Sequence, residues 1–177
     1  GENVLTIHAD TREPGSRWYP GAGIYRKMSM RLVEQVHIPV WGVYVTTPEV
    51  SSTSAQVRAK VELINVTGPV KEVQLFIELL DPSGTRVSTD ERSINLGEGA
   101  TGEISFDLSV EQPYIWDIEH PYLYTCVVKV QAGKTLIQQE NTSFGIRTFQ
   151  WTANDGFHLN GRRVQLYGVN LHHDHGP

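Results

Sequence analysis

The chain has 177 residues, with 20 acidic against 15 basic side chains and a formal net charge of −5. That balance argues against a nucleic-acid or anionic-membrane partner. No apolar run approaches the roughly 20 residues of a membrane span, and the single cysteine, Cys126, excludes an intrachain disulfide.

The length suits one ordinary domain with extra segments, or two small ones, and is enough for a core without a covalent staple. Residues 1–10 lack the basic start and apolar run of a signal peptide. Neither this nor the cysteine count assigns a compartment. The start, Gly1-Glu2-Asn3, and the end, His175-Gly176-Pro177, read as cuts through a longer chain.

Residues 1–32 contain Arg17-Trp18-Tyr19-Pro20-Gly21-Ala22-Gly23-Ile24-Tyr25-Arg26. Its aromatics and glycines predict a tight, packed loop followed by a strand. The pattern then changes. Val57, Ala59, Val61 and Leu63 alternate with Arg58, Lys60, Glu62 and Ile64, as a half-buried antiparallel strand requires. Val73, Leu75, Ile77 and Leu79 repeat the alternation, as do Ile104, Phe106 and Leu108, and Tyr124, Cys126, Val128 and Val130. A further strand is predicted from Leu136 to Phe144.

Turn chemistry falls between these runs at Thr67-Gly68-Pro69, Asp81-Pro82-Ser83-Gly84, Gly97-Glu98-Gly99 and Ala132-Gly133-Lys134. Asp81-Pro82-Ser83-Gly84 suits a type I turn. About seven short strands over about 110 residues predict an all-β protein, an immunoglobulin-like β-sandwich of about seven antiparallel strands. Its sheets must be joined by apolar packing alone. Beyond the sandwich, Phe157-His158-Leu159-Asn160-Gly161-Arg162 predicts a hairpin whose Asn-Gly favours a type I′ turn. Val164-Gln165-Leu166-Tyr167-Gly168-Val169 reads as a strand, ending in Asn170-Leu171-His172-His173-Asp174-His175.

Three segments together resemble family 2 glycoside hydrolases, of the β-galactosidase type. Gly23-Ile24-Tyr25-Arg26 is similar to the signature that ends that family's jelly-roll domain. Pro113-Tyr114-Ile115-Trp116 with Pro121-Tyr122-Leu123-Tyr124 resembles a stretch late in its immunoglobulin-like domain. Phe144-Gly145-Ile146-Arg147, Phe157-His158-Leu159-Asn160-Gly161 and Gly168-Val169-Asn170 resemble the crossing into its catalytic (β/α)8 barrel. The resemblance implies residues 1–32 as the tail of a sugar-binding jelly roll and 33–150 as the sandwich. Residues 151–177 would be a linker, a hairpin and the first barrel strand. The partners implied are the jelly-roll and barrel domains of one parent chain and, for the parent, a β-galactoside.

Retaining glycoside hydrolysis needs two carboxylates about 5 Å apart. The resemblance places both on later barrel strands, so no catalytic residue is expected here and the chain alone is expected to be inactive. Glu62, Glu78, Asp81, Glu91 and Asp107 fit solvated strand faces or turns. The resemblance implies that His172, Asp174 and His175 contact sugar hydroxyls in the intact enzyme, at the C-terminal end of a barrel strand. Where several branches carry an aspartate near the first motif, this chain has Arg17, so that role is not carried over. No cofactor is expected within the chain, although a divalent cation in the parent is compatible with the resemblance. A galactosidase is favoured over its glucuronidase and mannosidase relatives by Gly168-Val169-Asn170-x-His172.

Other readings stay open. The chain fits a stand-alone fibronectin-like or immunoglobulin-like binding or adhesion module, because sandwiches host many functions. Asn170-x-His172-x-Asp174-His175 also resembles the H-x-H-x-D-H ligand run of metallo-hydrolases, but asparagine, a poor zinc ligand, stands first. Trp18, Tyr19, Trp41, Trp116 and Trp151 suit either sugar stacking or packing in cores and domain contacts. Asn65-Val66-Thr67 and Asn141-Thr142-Ser143 fit the glycosylation triplet and receive no function.

Overall fold

Alternation becomes burial in the central strand. In Ser54–Asn65 (β3), Ala55, Val57, Ala59, Val61 and Leu63 are buried, while Arg58, Lys60 and Glu62 are exposed. A computed structural model of the chain describes residues 4–8, 24, 27–69 and 71–170. The chain divides into two compact units, Leu32–Leu166 and one drawn from Gly1–Arg31 with Tyr167–Pro177. The described residues of the second unit form neither helix nor strand.

Besides β3, the strands are Val36–His37 (β1), Val43–Val50 (β2), Lys71–Leu80 (β4), Arg86–Leu96 (β5), Thr101–Glu111 (β6), Tyr124–Ala132 (β7) and Thr135–Phe144 (β8). Phe149–Thr152 (β9), Gly156–Leu159 (β10) and Arg162–Arg163 (β11) follow. Among the described residues there is no helix. In one sheet β3 lies between β6 on one side and β1 and β2 on the other; the second has the order β5-β4-β7-β8. All these pairings are antiparallel. The two sheets bury one shared core, with Val57, Val61 and Phe106 from the first and Leu75, Ile77 and Val128 from the second. This is the all-β, immunoglobulin-like sandwich that the alternation predicts. Each fully buried aliphatic side chain contributes about 1.5–3 kcal/mol.

Two amides tie the sheets together at their margins. Gln138 on β8 accepts the Ile38 N–H at 2.8 Å and donates to the Ile38 carbonyl at 3.4 Å, taking the place of a peptide group beside the chain entering β2. Asn65, 1% exposed at the end of β3, donates to the carbonyls of Leu96 (3.2 Å) and Gly97 (3.0 Å). Its amide is thereby occupied in the core and unavailable to a glycan. Tyr124 opens β7 two residues before Cys126, and its buried hydroxyl accepts the Tyr114 N–H at 2.9 Å. Immunoglobulin sandwiches use the same tyrosine device at this place. Burial pushes the Cys126 thiol up to about 12, so it behaves as an apolar core group.

The turns follow their residues. Gly84 N–H donates to the Asp81 carbonyl at 2.9 Å, closing the Asp81–Gly84 turn. Gly133 has φ 59 in the two-residue loop joining β7 to β8. That is the conformation in which glycine replaces other residues without steric cost. On the outer face of β4, Glu78 accepts from Lys129 (3.2 Å) and Arg86 (3.4 Å). The Lys129 hydrogen bond first, with its charge and Arg86 adding, holds Glu78 below the ordinary carboxylate range against the opposing effect of burial.

Two outcomes follow for stability. Leu75→Ala is expected to lower the unfolding free energy by about 2–5 kcal/mol in urea titrations, whereas Leu136→Ala, at a half-exposed position, should change it by less than about 0.5 kcal/mol. Because the folded pKa of Glu78 is depressed, its contribution is full above the unfolded value of about 4.3 and is lost as pH falls through the folded value. Glu78→Gln is therefore expected to be less stable than the parent at neutral pH. That difference should shrink as urea midpoints are measured toward pH 3.

Candidate functional site

Pro113-Tyr114-Ile115-Trp116, Phe144-Gly145-Ile146-Arg147 and the hairpin at Asn160-Gly161 stand apart in sequence and meet at one place, where the sandwich passes into the sheet of β9, β10 and β11. The order in that sheet is β11-β10-β9, antiparallel throughout. Each residue of Phe144-Gly145-Ile146-Arg147 has a separate task there. Phe144 packs its ring 5.7 Å from that of Tyr124. Gly145 lies against Trp116: a Cβ at this position would stand 2.8 Å from Trp116 Cβ and Cγ. Its φ is not in the left-handed range, so space, not backbone freedom, requires the glycine. Ile146 is fully buried, bridges to Ile115 in parallel, and its carbonyl accepts the Trp116 N–H at 2.9 Å. The Arg147 guanidinium lies 4.5 Å from the centre of the Trp116 ring, a cation–π contact. The Arg147 carbonyl accepts the Thr47 hydroxyl at 2.8 Å, tying the crossing to β2.

Asn160 fixes the small sheet to this cluster. Asn160 and Gly161 have φ 49 and 75 between the paired residues Leu159 and Arg162, the type I′ turn that Asn-Gly predicts. The side chain does more than turn the chain. Its Oδ1 accepts the Thr148 N–H at 2.9 Å, its Nδ2 donates to the Trp116 carbonyl at 3.0 Å, and its own N–H donates to Thr148 O at 2.9 Å. The segment between Pro113 and Tyr122 is ordered in turn by Asp117, whose Oδ1 accepts from the backbones of His120 (2.6 Å) and Glu119 (2.8 Å). Those bonds, His120 first, hold the Asp117 carboxyl below its ordinary range.

Two open hollows flank the small sheet. One, of about 380 Å³, is bordered by the side chains of Gln150, Thr152, Asn154, Asp155 and His158. In it His158 Nε2 lies 2.9 Å from Asp155 Oδ2, and Arg163 Nε lies 3.2 Å from Asp155 Oδ1. The other, of about 270 Å³, is lined by Trp151, Phe157, Val164 and Leu166 with Asp155 and Arg163 at its edge. Each holds one carboxylate, Asp155, and neither offers the acid pair that retaining hydrolysis requires. Among the described residues no group of three or more His, Cys, Asp or Glu side chains is placed to hold a metal ion.

The predicted sugar contacts His172, Asp174 and His175 lie outside the described residues, as do Arg17, Trp18, Tyr19, Gly23, Tyr25 and Arg26. Of the two readings open for Trp116, packing holds: it lies against Gly145 and under Arg147 at the end of the sandwich. Trp151 lies 4.7 Å from Phe157, ring to ring, yet stays 66% exposed. Trp41 is 93% exposed with φ 67, in the turn closed by the Gly42 N–H to Pro39 O bond, and belongs to no core.

Residues 36–147 match the family described as Glycosyl hydrolases family 2. A β-galactosidase of Bacteroides ovatus is 40% identical over 178 residues, covering 98% of this chain and 21% of that protein. A β-glucuronidase of Bacteroides fragilis is 29% identical, covering 86% of this chain and 22% of that protein. The crystal structure of a glycosyl hydrolase family 2 member from Bacteroides cellulosilyticus superposes with a TM-score of 0.77 at 31% identity, over 87% of this chain and 21% of that one. The chain thus spans about a fifth of the length of these relatives.

Two substitutions test the junction. Asn160→Ala removes two side-chain hydrogen bonds, with Thr148 N–H and the Trp116 carbonyl, and is expected to cost about 1–3 kcal/mol, seen as faster amide exchange at Thr148 and through β9–β11 while the sandwich core stays protected. Gly145→Ala forces Trp116 outward, with an expected red shift of its fluorescence and a loss of about 1–3 kcal/mol.

Proposed function

The chain belongs to glycosyl hydrolases family 2, and from that membership we propose that it is a non-catalytic structural part of a larger retaining glycosidase that cleaves terminal β-galactosides. Residues 1–32 are the tail of a jelly-roll domain, 33–150 the sandwich, and 151–177 the approach to a (β/α)8 barrel that carries the chemistry. The sandwich spaces the two neighbours and fixes their orientation. One observation carries this reading: the 40% identity to the Bacteroides ovatus β-galactosidase runs through 98% of this chain but only 21% of that protein.

His172, Asp174 and His175 contact the sugar in the intact protein. Their side chains donate to and accept from hydroxyl groups, and the strand end is where a barrel places binding residues.

The assay compares this 177-residue chain with the full-length protein on aryl β-galactosides and aryl β-glucuronides. The chain alone is expected to give no turnover, and the full-length protein to hydrolyse the galactoside with retention. His172→Ala, Asp174→Ala and His175→Ala in the full-length protein should each lower kcat/KM by about 10- to 1000-fold, a loss of about 1.4–4 kcal/mol in transition-state binding. Turnover by the isolated chain, or a full-length preference for glucuronides, would refute the assignment.

A further inference from the structure

Of the seven asparagines in the chain, only Asn160 precedes a glycine. That dipeptide is the one most prone to spontaneous deamidation. The backbone nitrogen of the following residue attacks the side-chain carbonyl carbon, Cγ. Ammonia leaves and a five-membered succinimide closes, which water then opens to aspartate or isoaspartate. Glycine has no Cβ to shield the attacking nitrogen, whereas Val66, Leu96 and Thr142, which follow Asn65, Asn95 and Asn141, each have one. The folded turn withholds what the reaction needs. Ring closure requires the Gly161 nitrogen on the same side of the Asn160 Cα–C bond as Cβ. Asn160, with φ 49 in its type I′ turn, has the left-handed backbone, in which the next nitrogen lies nearly opposite Cβ. The side chain is held as well: Oδ1 accepts the Thr148 N–H at 2.9 Å, and Nδ2 donates to the Trp116 carbonyl at 3.0 Å. Attack would make Cγ tetrahedral and destroy the planar amide that forms both bonds. The leaving nitrogen must also gain a proton, and the carbonyl that faces it has none to give.

We propose that Asn160-Gly161 is a conformation-gated modification site, silent while the sheet of β9, β10 and β11 is closed and deamidated once that sheet opens. The product changes the junction. Aspartate carries an oxygen where Nδ2 stood, so the group that donated to the Trp116 carbonyl becomes an acceptor facing an acceptor. Isoaspartate adds a methylene to the main chain inside a two-residue turn and so disturbs the pairing of Leu159 with Arg162. Neither product can restore the bond to Trp116, so a transient opening becomes a permanent one. The same asparagine is thus both the fastening of the small sheet and the group whose chemistry records that the fastening has opened.

Peptide mass mapping of the 177-residue chain, incubated at mildly alkaline pH, tests this. Asn160 is expected to deamidate at least about 100-fold more slowly in the folded chain than in guanidinium above the unfolding midpoint. Rates within a few-fold of each other overturn the proposal. Gly145→Ala displaces Trp116, whose carbonyl holds Nδ2, and is expected to raise deamidation at Asn160 and amide exchange at Thr148 by the same factor. Exchange that rises while deamidation does not overturns the gating. Guanidinium below the unfolding midpoint opens the sheet without a substitution and gives the same comparison if that variant does not fold. Asn160→Asp reproduces one product directly and is expected to exchange at Thr148 faster than the parent. Protection equal to the parent's overturns the permanent opening.

Discussion

Close packing between two sheets, with no covalent link across them, is the constraint on which the rest depends. The immunoglobulin architecture often carries a disulfide between its sheets. Here the one thiol, Cys126, is buried and held as a neutral group. Every inward position of β3 and β4 must then be apolar, and each is, from Ala55 to Leu63 and from Val73 to Leu79. Apolar packing cannot close the margins of a sandwich, where backbone groups would remain unpaired. Gln138 does so with a side-chain amide that accepts and donates as a peptide would, and Asn65 with the N–H groups of its amide alone. In Asn65-Val66-Thr67 the asparagine is therefore explained by the core it closes, and the triplet has no bearing on glycosylation in the folded state.

The same logic extends to the junction. Gly145 permits close approach, Trp116 fills the space, Arg147 covers the ring, and Asn160 joins the ring's backbone to the next sheet. None of these residues has chemistry that acts on a substrate here. Together they convert the end of a sandwich into a defined starting direction for the chain that follows. A glycine-rich or proline-rich connection would leave that direction free.

The central strands are legible in the sequence because burial on one face imposes a period of two, and β3, β4, β6 and β7 carry it, with Ile64, Phe76 and Val127 as apolar exceptions at the alternate positions. Edge strands escape that rule. β5, Arg86–Leu96, presents Asp90, Glu91 and Arg92 to solvent and buries only Leu96, so no alternation announces it. β2 contains Pro48 and a register shift between Thr46 and Glu49, devices that suit an edge and erase the strand pattern. The junction was legible only in part. Asn160-Gly161 announces a turn because both positions require positive φ. The bond from Asn160 to Trp116 spans 44 positions in sequence and has no local signal. Gly145 likewise shows itself as one residue of a motif, while the reason for it is a ring nearly thirty positions earlier.

A retaining glycosidase places two carboxylates and a sugar with tolerances of about half an ångström. A domain without either carboxylate can influence that placement only through rigidity, by fixing what its neighbours rest on. The structure has that rigidity. Its core is continuous from β1 to Ile146, its margins are closed by amides, and its last sheet is held through Asn160 by two side-chain bonds and one backbone bond.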